Sequence, residues 1–318
     1  MSVPGEAVGN GRARPEWALR RERGSAFMIR LMTWISLNLG RRAARCVLPL
    51  IVSYFMLTAA PARRASRAYL RRALGREPRL RDIYRHLHHF SSVIHDRIYL
   101  LNDRFDLFEV ETQNTELISD LVASGRGALL MGAHLGSFEV LRALGRRALP
   151  VDVVMVMYEE NARKIRAAMA AANPEARQDI IALGRPDSML QIRQRLQGGA
   201  IVGVLADRTL AEDATTAVAF LGDPAEFPDG PFRMAAMLRQ PVIFMAGLYL
   251  GTNRYRIRFD TLADFSAVPA HEREAAVSDA IGRFAAVLES HCRAAPHNWF
   301  NFYDFWKPSA PHVRGKQP

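Results

Sequence analysis

Between Gly127 and Arg142 the apolar residues change their spacing, and that change constrains the fold more than any other stretch. Ala128-Leu129-Leu130-Met131 is a short apolar run that follows one glycine and is bounded by Gly132, the pattern of a buried strand. From Ser137 onward Phe138, Leu141 and Leu144 recur at helical intervals, with Ser137 placed to cap the helix and Glu139 in its first turn. His134 is therefore expected in a strand-to-helix turn, at the carboxyl end of a strand, where α/β folds commonly present chemistry. Glu139 lies five positions after His134. That spacing crosses the turn, so the Glu139 carboxylate can fold back onto one imidazole nitrogen, fix the tautomer and leave the other nitrogen as a base. A glutamate at a helix N-terminus is favoured by the dipole and stays ionised. The same His…Glu spacing also arises by chance, and a turn histidine is more often a structural residue.

The chain downstream alternates in the same way. Strands are expected at Val151–Met157, Asp179–Leu183, Ala200–Leu205 and Gln240–Leu250, with Tyr255–Phe259 as an antiparallel partner of the last. Helices are expected at Ala162–Ala172, Asp187–Gln197, Pro231–Arg239 and Glu272–Arg293, and a loop at Tyr158–Asn161. This is an α/β pattern: a central mixed, mainly parallel sheet flanked by helices. Ala200–Leu205 is wholly apolar and ends in Ala206-Asp207-Arg208-Thr209, a second set of polar groups at a strand's carboxyl end. Pro231 suits a first helical position, and the N–H groups of Gly230–Arg233, with the Arg233 side chain, could receive a phosphate or oxyanion; a plain helix start is the simpler alternative.

Charge is placed unevenly. Residues 1–100 carry 19 Arg and Lys against 6 Asp and Glu, and the remaining residues 24 against 26. A basic first third fits nucleic acid, an anionic membrane surface or an acidic protein. No zinc finger or RNP-type aromatic pattern accompanies it, so a membrane is the better partner and nucleic acid is not expected. Residues 1–15 are rich in Gly, Pro and Arg, read as disordered and lack a signal-peptide core. Two apolar stretches follow Trp17–Ser25, Ala26–Leu39 and Cys46–Ala60, joined by the basic Gly40–Arg45. Neither reaches the roughly 20 apolar residues of a span. With Trp34, Tyr54 and nearby arginines they read as an interfacial hairpin lying on a membrane, the alternative being a buried helix pair. Pro61–Arg85 reads as a further basic helical region, whose arginines form a solvated face or meet anionic headgroups or an acidic carrier. Ile83–Leu101 is a helix bearing His86, His88, His89 and His95. No carboxylate completes a zinc pattern with them, so they are assigned to a helical packing seam and no metal is expected. Cys46 and Cys292 are too few and too isolated for a disulfide framework or zinc site. The division that follows is an N-terminal basic helical membrane-associating region (residues 1–105), an α/β domain (106–310) and a tail (311–318).

Gly132-Ala133-His134 through Glu139 resembles the H-x4-D/E motif of the lysophospholipid acyltransferase superfamily, in the H-x4-E form of the lipid A late acyltransferases. Asp207-Arg208, Phe220-Leu221-Gly222 and the turn Asp229-Gly230-Pro231 resemble the second half of the same family. Pro296–Trp306 occupies the place of its closing aromatic segment, where Phe302-Tyr303-Asp304 replace a His-Arg-Arg run. That departure, with Trp17–Ser25 and the Tyr54 region, is similar to a branch associated with aryl-polyene-type lipids. The resemblance implies an O-acyltransferase with His134 and Glu139 as catalytic residues. Asp207, Arg208, Gly230 and Arg233 are the expected substrate-binding residues, with Arg208 or Arg233 stabilising the tetrahedral intermediate. It implies an acyl thioester donor, on acyl carrier protein or coenzyme A, and no cofactor. The acceptor would be a membrane lipid or glycolipid of lipid A or aryl-polyene type, and the location the cytoplasmic face of the inner membrane. Two other readings remain at this stage. One is a hydrolase or thioesterase using Ser137, although Leu135-Gly136-Ser137-Phe138-Glu139 lacks the glycines of a nucleophile elbow. The other is a non-catalytic adaptor for membrane or carrier protein.

Overall fold

The computed structural model describes residues 34–36, 38–148, 152–158, 179–209 and 214–307. The expectations placed on residues 1–33, 159–178 and 311–318 lie outside the described residues.

The centre is a seven-stranded sheet in the order β1-β9-β8-β2-β5-β3-β4. Its strands are β1 (Glu109–Gln113), β2 (Ala128–Gly136), β3 (Val153–Tyr158), β4 (Ile180–Leu183), β5 (Ile201–Leu205), β8 (Pro241–Gly251) and β9 (Arg254–Asp264). Only β8 and β9 run antiparallel; the other neighbours are parallel. β2, β5 and β8 are the middle of the sheet and are almost continuously buried, as strands covered on both faces must be. On one face Leu129, Met131, Val202 and Phe244 share a core with Ile281, Phe284 and Leu288 of helix α8 (Arg273–Ala294). On the other, Leu130, Ile243 and Met245 pack with Ile118 of α4 (Glu116–Ala123) and Val140 of α5 (Phe138–Ala148). Helices α6 (Ser188–Gln197) and α7 (Gly230–Leu238) complete the layers. The α/β architecture is as the alternation predicts.

One element adds to the strands expected from the sequence. Thr215–Phe220 (β6) and Asp223–Pro228 (β7) form an antiparallel hairpin apart from the main sheet. Leu221 and Gly222, at its tip, both hold positive φ (53° and 93°), the conformation of a two-residue turn that matches strand twist.

The N-terminal helices also differ in their boundaries. Helix α1 (Gly40–Thr58) runs straight through the basic 40–45 segment expected to be a linker, and it contains Pro49. The region 61–85 is two pieces rather than one. Helix α2 (Ala60–Leu74) ends at Gly75, whose left-handed φ of 64° is a common helix stop, and α3 spans Leu80–Leu101. At the start of α3 the Asp82 carboxylate accepts the Arg79 backbone N–H (2.8 Å) and Arg76 Nη1 (2.9 Å). The Arg76 hydrogen bond is the main reason its pKa falls to about 2. Tyr69, Leu70 and Ile83 belong to the same core as the sheet residues, so α2 and α3 are packed onto the α/β layer.

Helix α1 is anchored by charge and by packing. It buries Ala44, Leu48 and Val52, four residues apart each time. Arg41 holds buried Asp96 of α3 through two hydrogen bonds (2.8 and 3.0 Å), and the same carboxylate accepts Tyr255 Oη at 2.8 Å. Removing one member of so enclosed a pair typically costs about 3–5 kcal/mol. The opposite face presents Leu50 (71% exposed), Tyr54 and Leu57 (81%) to the outside. No single described helix is long and apolar enough to cross a membrane; α1 and α2 pass that test only together, and a 96° bend separates them.

The histidines of α3 serve its seam. Buried His86 donates from Nε2 to the Trp299 carbonyl (2.8 Å), so Nδ1 accepts the Ser66 hydroxyl of α2 (2.9 Å). Burial lowers the pKa of His86 and of His89 to about 3, and that of His297 to about 4. The unfolded chain takes up these protons as pH falls through about 6.5, whereas the folded one resists until pH 3–4, so this stability is present above pH 6.5 and declines below it. Urea denaturation is expected to show a lower midpoint near pH 5 than near pH 7.5, before most carboxylates titrate, and His86→Asn should flatten that slope. A midpoint constant across the interval would contradict these assignments.

Candidate active site

The apolar run at Ala128–Met131 does begin a strand, but the strand does not stop at Gly132. It continues to Gly136 with a register irregularity against β8 between Gly132 and Gly136. His134 therefore sits on the irregular end of β2 rather than in a turn beyond it. The distortion has a local cause. Gly136 holds a φ of 67°, and a Cβ there would run into the Gly247 carbonyl; a Cβ on Gly247 would run into the Ser137 carbonyl. The two backbones meet where Ser137 N–H donates to Gly247 O (2.7 Å). Only glycine allows this approach on both sides. Helix α5 then starts as predicted, with Ser137 Oγ accepting the Val140 N–H (3.4 Å). Ser137 is buried in that capping role, and among the described residues no hydrogen bond joins it to a histidine that could serve the serine-nucleophile alternative as a base.

The carboxylate that holds the imidazole is Asp207, not Glu139. His134 Nδ1 lies 2.7 Å from Asp207 Oδ1, and the His134 backbone N–H donates to Oδ2 at 3.0 Å. Since an ionised carboxylate only accepts, Nδ1 carries the proton and Nε2 presents its lone pair. The reason Asp207 reaches His134 is sheet register. β2 and β5 run parallel with Gly132 opposite Leu205, so the residues two further along each strand, His134 and Asp207, emerge side by side. Glu139 faces other partners: Oε2 pairs with Arg142 Nε (3.1 Å) and Oε1 with Arg97 Nε of α3 (3.3 Å).

Two further donors close around Asp207, from a segment that spacing alone does not mark as part of the site. Trp299 Nε1 donates to Oδ2 at 2.9 Å and Asn301 Nδ2 to the same oxygen at 3.0 Å. Residues 298–301 reach that place as a strap across the end of β2. Phe300 N–H donates to His134 O (2.7 Å), Gly136 N–H donates to Asn298 O (2.8 Å), and Leu135 bridges Trp299 in antiparallel fashion. The Asn298 side chain fixes the strap to β8 by pairing with both backbone groups of Tyr249 (2.7 and 3.1 Å). The aromatic run packs as core: Trp299 is fully buried against Tyr69, Phe220 and Phe305. Asparagines inside a buried aromatic run were the available signal, because a buried amide needs partners.

Arg208 belongs to the same group. Its Nε donates to Asn301 Oδ1 (2.8 Å), one terminal nitrogen donates to Phe300 O (3.2 Å), and its guanidinium lies over the Tyr303 ring at 5.8 Å. The other candidates are elsewhere. Arg233 pairs with Glu274 (2.9 Å) and Asp229 (3.5 Å) on the surface, and no hydrogen bond or ion pair joins it or Gly230 to His134 or Asp207 among the described residues.

These surroundings set the protonation states. Burial pushes the Asp207 carboxyl upward, but the hydrogen bonds and charge of His134, with Arg208, outweigh it and hold it well below the usual carboxylate range. For His134 burial is the largest influence, and it lowers the pKa together with Arg208 and Arg97; Asp207 opposes them without prevailing. The imidazole is therefore neutral near pH 7 and 28% exposed, a base ready to accept a proton at Nε2. Between α4 and α5, against the sheet, a cavity of about 290 Å³ is lined by Leu130, Phe138, Leu141, Ile201, Met245 and Phe259; His134, Asp207 and Arg208 are not part of its lining.

The two carboxylates are separable by experiment. Asp207→Asn should lower the His134 titration midpoint further and release the Nδ1–H tautomer, both visible by NMR of labelled imidazole. Glu139→Gln should leave the tautomer unchanged. A tautomer that follows Glu139 instead would contradict the pairing described.

A direct sequence comparison matches no curated protein. Residues 95–308, more than half the chain and including every residue of this group, match the family described as bacterial lipid A biosynthesis acyltransferase. An imidazole paired with a carboxylate at the carboxyl end of a central strand accords with that match, and the chain belongs to the bacterial lipid A biosynthesis acyltransferase family.

Proposed function

We propose that this acyltransferase moves a fatty acyl group from a thioester to a hydroxyl of a membrane lipid, with His134 Nε2 as general base. The observation that carries the reading is the His134–Asp207 pair, which fixes Nδ1 and turns a neutral, accessible Nε2 outward. The acceptor hydroxyl gives its proton to Nε2 as its oxygen attacks the thioester carbonyl. The tetrahedral intermediate collapses with cleavage of the carbon–sulfur bond, and the departing thiolate takes the proton back from the imidazolium. Arg208 stabilises the oxyanion, because a guanidinium in a partly buried site acts more strongly than one in water. Glu139 acts at one remove by holding Arg97 and Arg142. The apolar cavity beneath α5 accommodates the acyl chain.

The donor is an acyl carrier protein or coenzyme A thioester, since both present an acidic partner to a strongly basic chain. The acceptor is a lipid A-type or aryl-polyene-type lipid, the second favoured by the Tyr303 and Asp304 environment in place of a His-Arg-Arg run. Whole-lipid mass spectrometry tests the reaction. Cells with His134→Ala and cells with a deletion should lose one fatty-acyl mass from the same lipid species. Unchanged lipids with a folded His134→Ala protein would refute the base assignment.

The proposed location is the cytoplasmic face of the inner membrane, held without a span. Trp34 and the α1 face of Leu50, Tyr54 and Leu57 would enter the lipid interface. Between residues 34 and 76 there are nine arginines and no Asp or Glu, and Arg64, Arg67 and Arg71 line the exposed side of α2. Such a stripe attracts anionic headgroups at about 1 kcal/mol per residue. Wild-type protein should float with phosphatidylglycerol vesicles, whereas a Leu50→Glu/Leu57→Glu variant, altered only at exposed positions, should remain folded and sediment. Equal flotation of the two would refute attachment through α1.

A further inference from the structure

One side chain in the group bridges two functions that the reaction needs at once. Asn301 is buried, and its single amide faces both ways. Nδ2 donates to Asp207 Oδ2 (3.0 Å), and Oδ1 accepts from Arg208 Nε (2.8 Å). The backbone beside it completes the connection: Phe300 O accepts from Arg208 and Phe300 N–H donates to His134 O. We propose that Asn301 is a positioning residue for acyl transfer, its one amide locking the carboxylate against His134 while aiming the Arg208 guanidinium. The inference rests on the reading of His134 as the base, and it adds a residue that touches no substrate.

The chemistry requires an amide at this position. The carboxylate side needs a donor and the guanidinium side an acceptor, and among side chains of this length only asparagine supplies both in one plane. An aspartate would satisfy Arg208 but set a second negative charge against Asp207. An alanine would leave both partners short of a hydrogen bond, and Arg208 would lose one of the contacts that fix its direction. Misplacing a positioned group by about 1 Å costs about a hundredfold in rate.

His134 is faced by Asp207 and Arg208 from the end of β5 and by Arg97 from α3. Arg97 is itself paired with Glu139 of α5, which also holds Arg142, and Tyr303 lies beside Arg208. Against that background a new carboxylate at position 301 favours the imidazolium. The acid limb of turnover, which reports loss of the neutral base, must then move to higher pH.

The experiment compares full-length wild type, Asn301→Asp and Asn301→Ala by NMR titration of labelled imidazole, with His134→Ala to assign the signal, and by acyl-thioester turnover. Asn301→Asp is expected to raise the His134 midpoint by about one pH unit and shift the acid limb of turnover equally. Asn301→Ala is expected to lower kcat about tenfold to a hundredfold with KM nearly unchanged. A folded Asn301→Asp protein whose His134 midpoint does not move overturns the proposal. If that variant does not fold, Asn301→Ala decides, and wild-type kcat in it overturns the proposal. The titration does not depend on the reaction: if wild type transfers no acyl group but Asn301→Asp still moves the His134 midpoint, the reaction assignment fails and the hold of Asn301 on the pair stands.

Discussion

A carboxylate at Asp207, removed from water, is tolerable only because four donors meet it: two from His134, one from Trp299 and one from Asn301. A buried anion without such partners would shift its pKa and neutralise. Each donor comes with a structural condition. The His134 pair requires β2 and β5 in register, the Trp299 and Asn301 pair requires the 298–301 strap, and the strap requires both the Gly136–Gly247 approach and the Asn298–Tyr249 pairing. The fixed orientation of the His134 imidazole is the outcome of satisfying one anion. Sheet order, glycine placement and the closing segment answer to the same constraint.

The family assignment and this geometry support one another at different levels. Membership places the chain in a family of lipid A biosynthesis acyltransferases. The geometry explains why the His134 ring is neutral rather than cationic: its burial and the arginines around it favour the neutral form, and Asp207 fixes which nitrogen is bare. Neither Gly230 nor Arg233 takes part in that arrangement, and the α7 N-terminus lies against the β6–β7 hairpin through the Asp229–Thr216 hydrogen bond (2.7 Å).

What was legible in the sequence follows the range of each interaction. The strand-to-helix change at residues 128–142, the Ser137 cap and the α/β alternation are local patterns, and they were readable. Pairing His134 with Glu139 failed because it preferred the nearest carboxylate in sequence. The partner lies 73 residues away, and the sign of it was two neighbouring parallel strands each ending in a polar residue. Asn298 and Asn301 were hidden by the aromatics around them, since hydrophobic context reads as packing until the amide partners are traced. At the N-terminus, charge and hydropathy identified the helices but misplaced their ends. The α1 boundary is set by the anchor of Arg41 on Asp96, a tertiary contact that the apolar pattern does not encode.

The strap has a consequence for how the protein comes into being. Its residues lie 91 to 94 positions beyond Asp207. Synthesis proceeds from the N-terminus, and domains generally fold as units. Until residues 298–301 arrive, Asp207 lacks two of its donors and β2 lacks the backbone partner of His134. With β2 and β5 paired but the strap undocked, His134 and Asp207 meet without their full set of partners. Docking of the strap is thus the step that finishes the His134–Asp207 pair, whatever the order in which sheet and helices assemble.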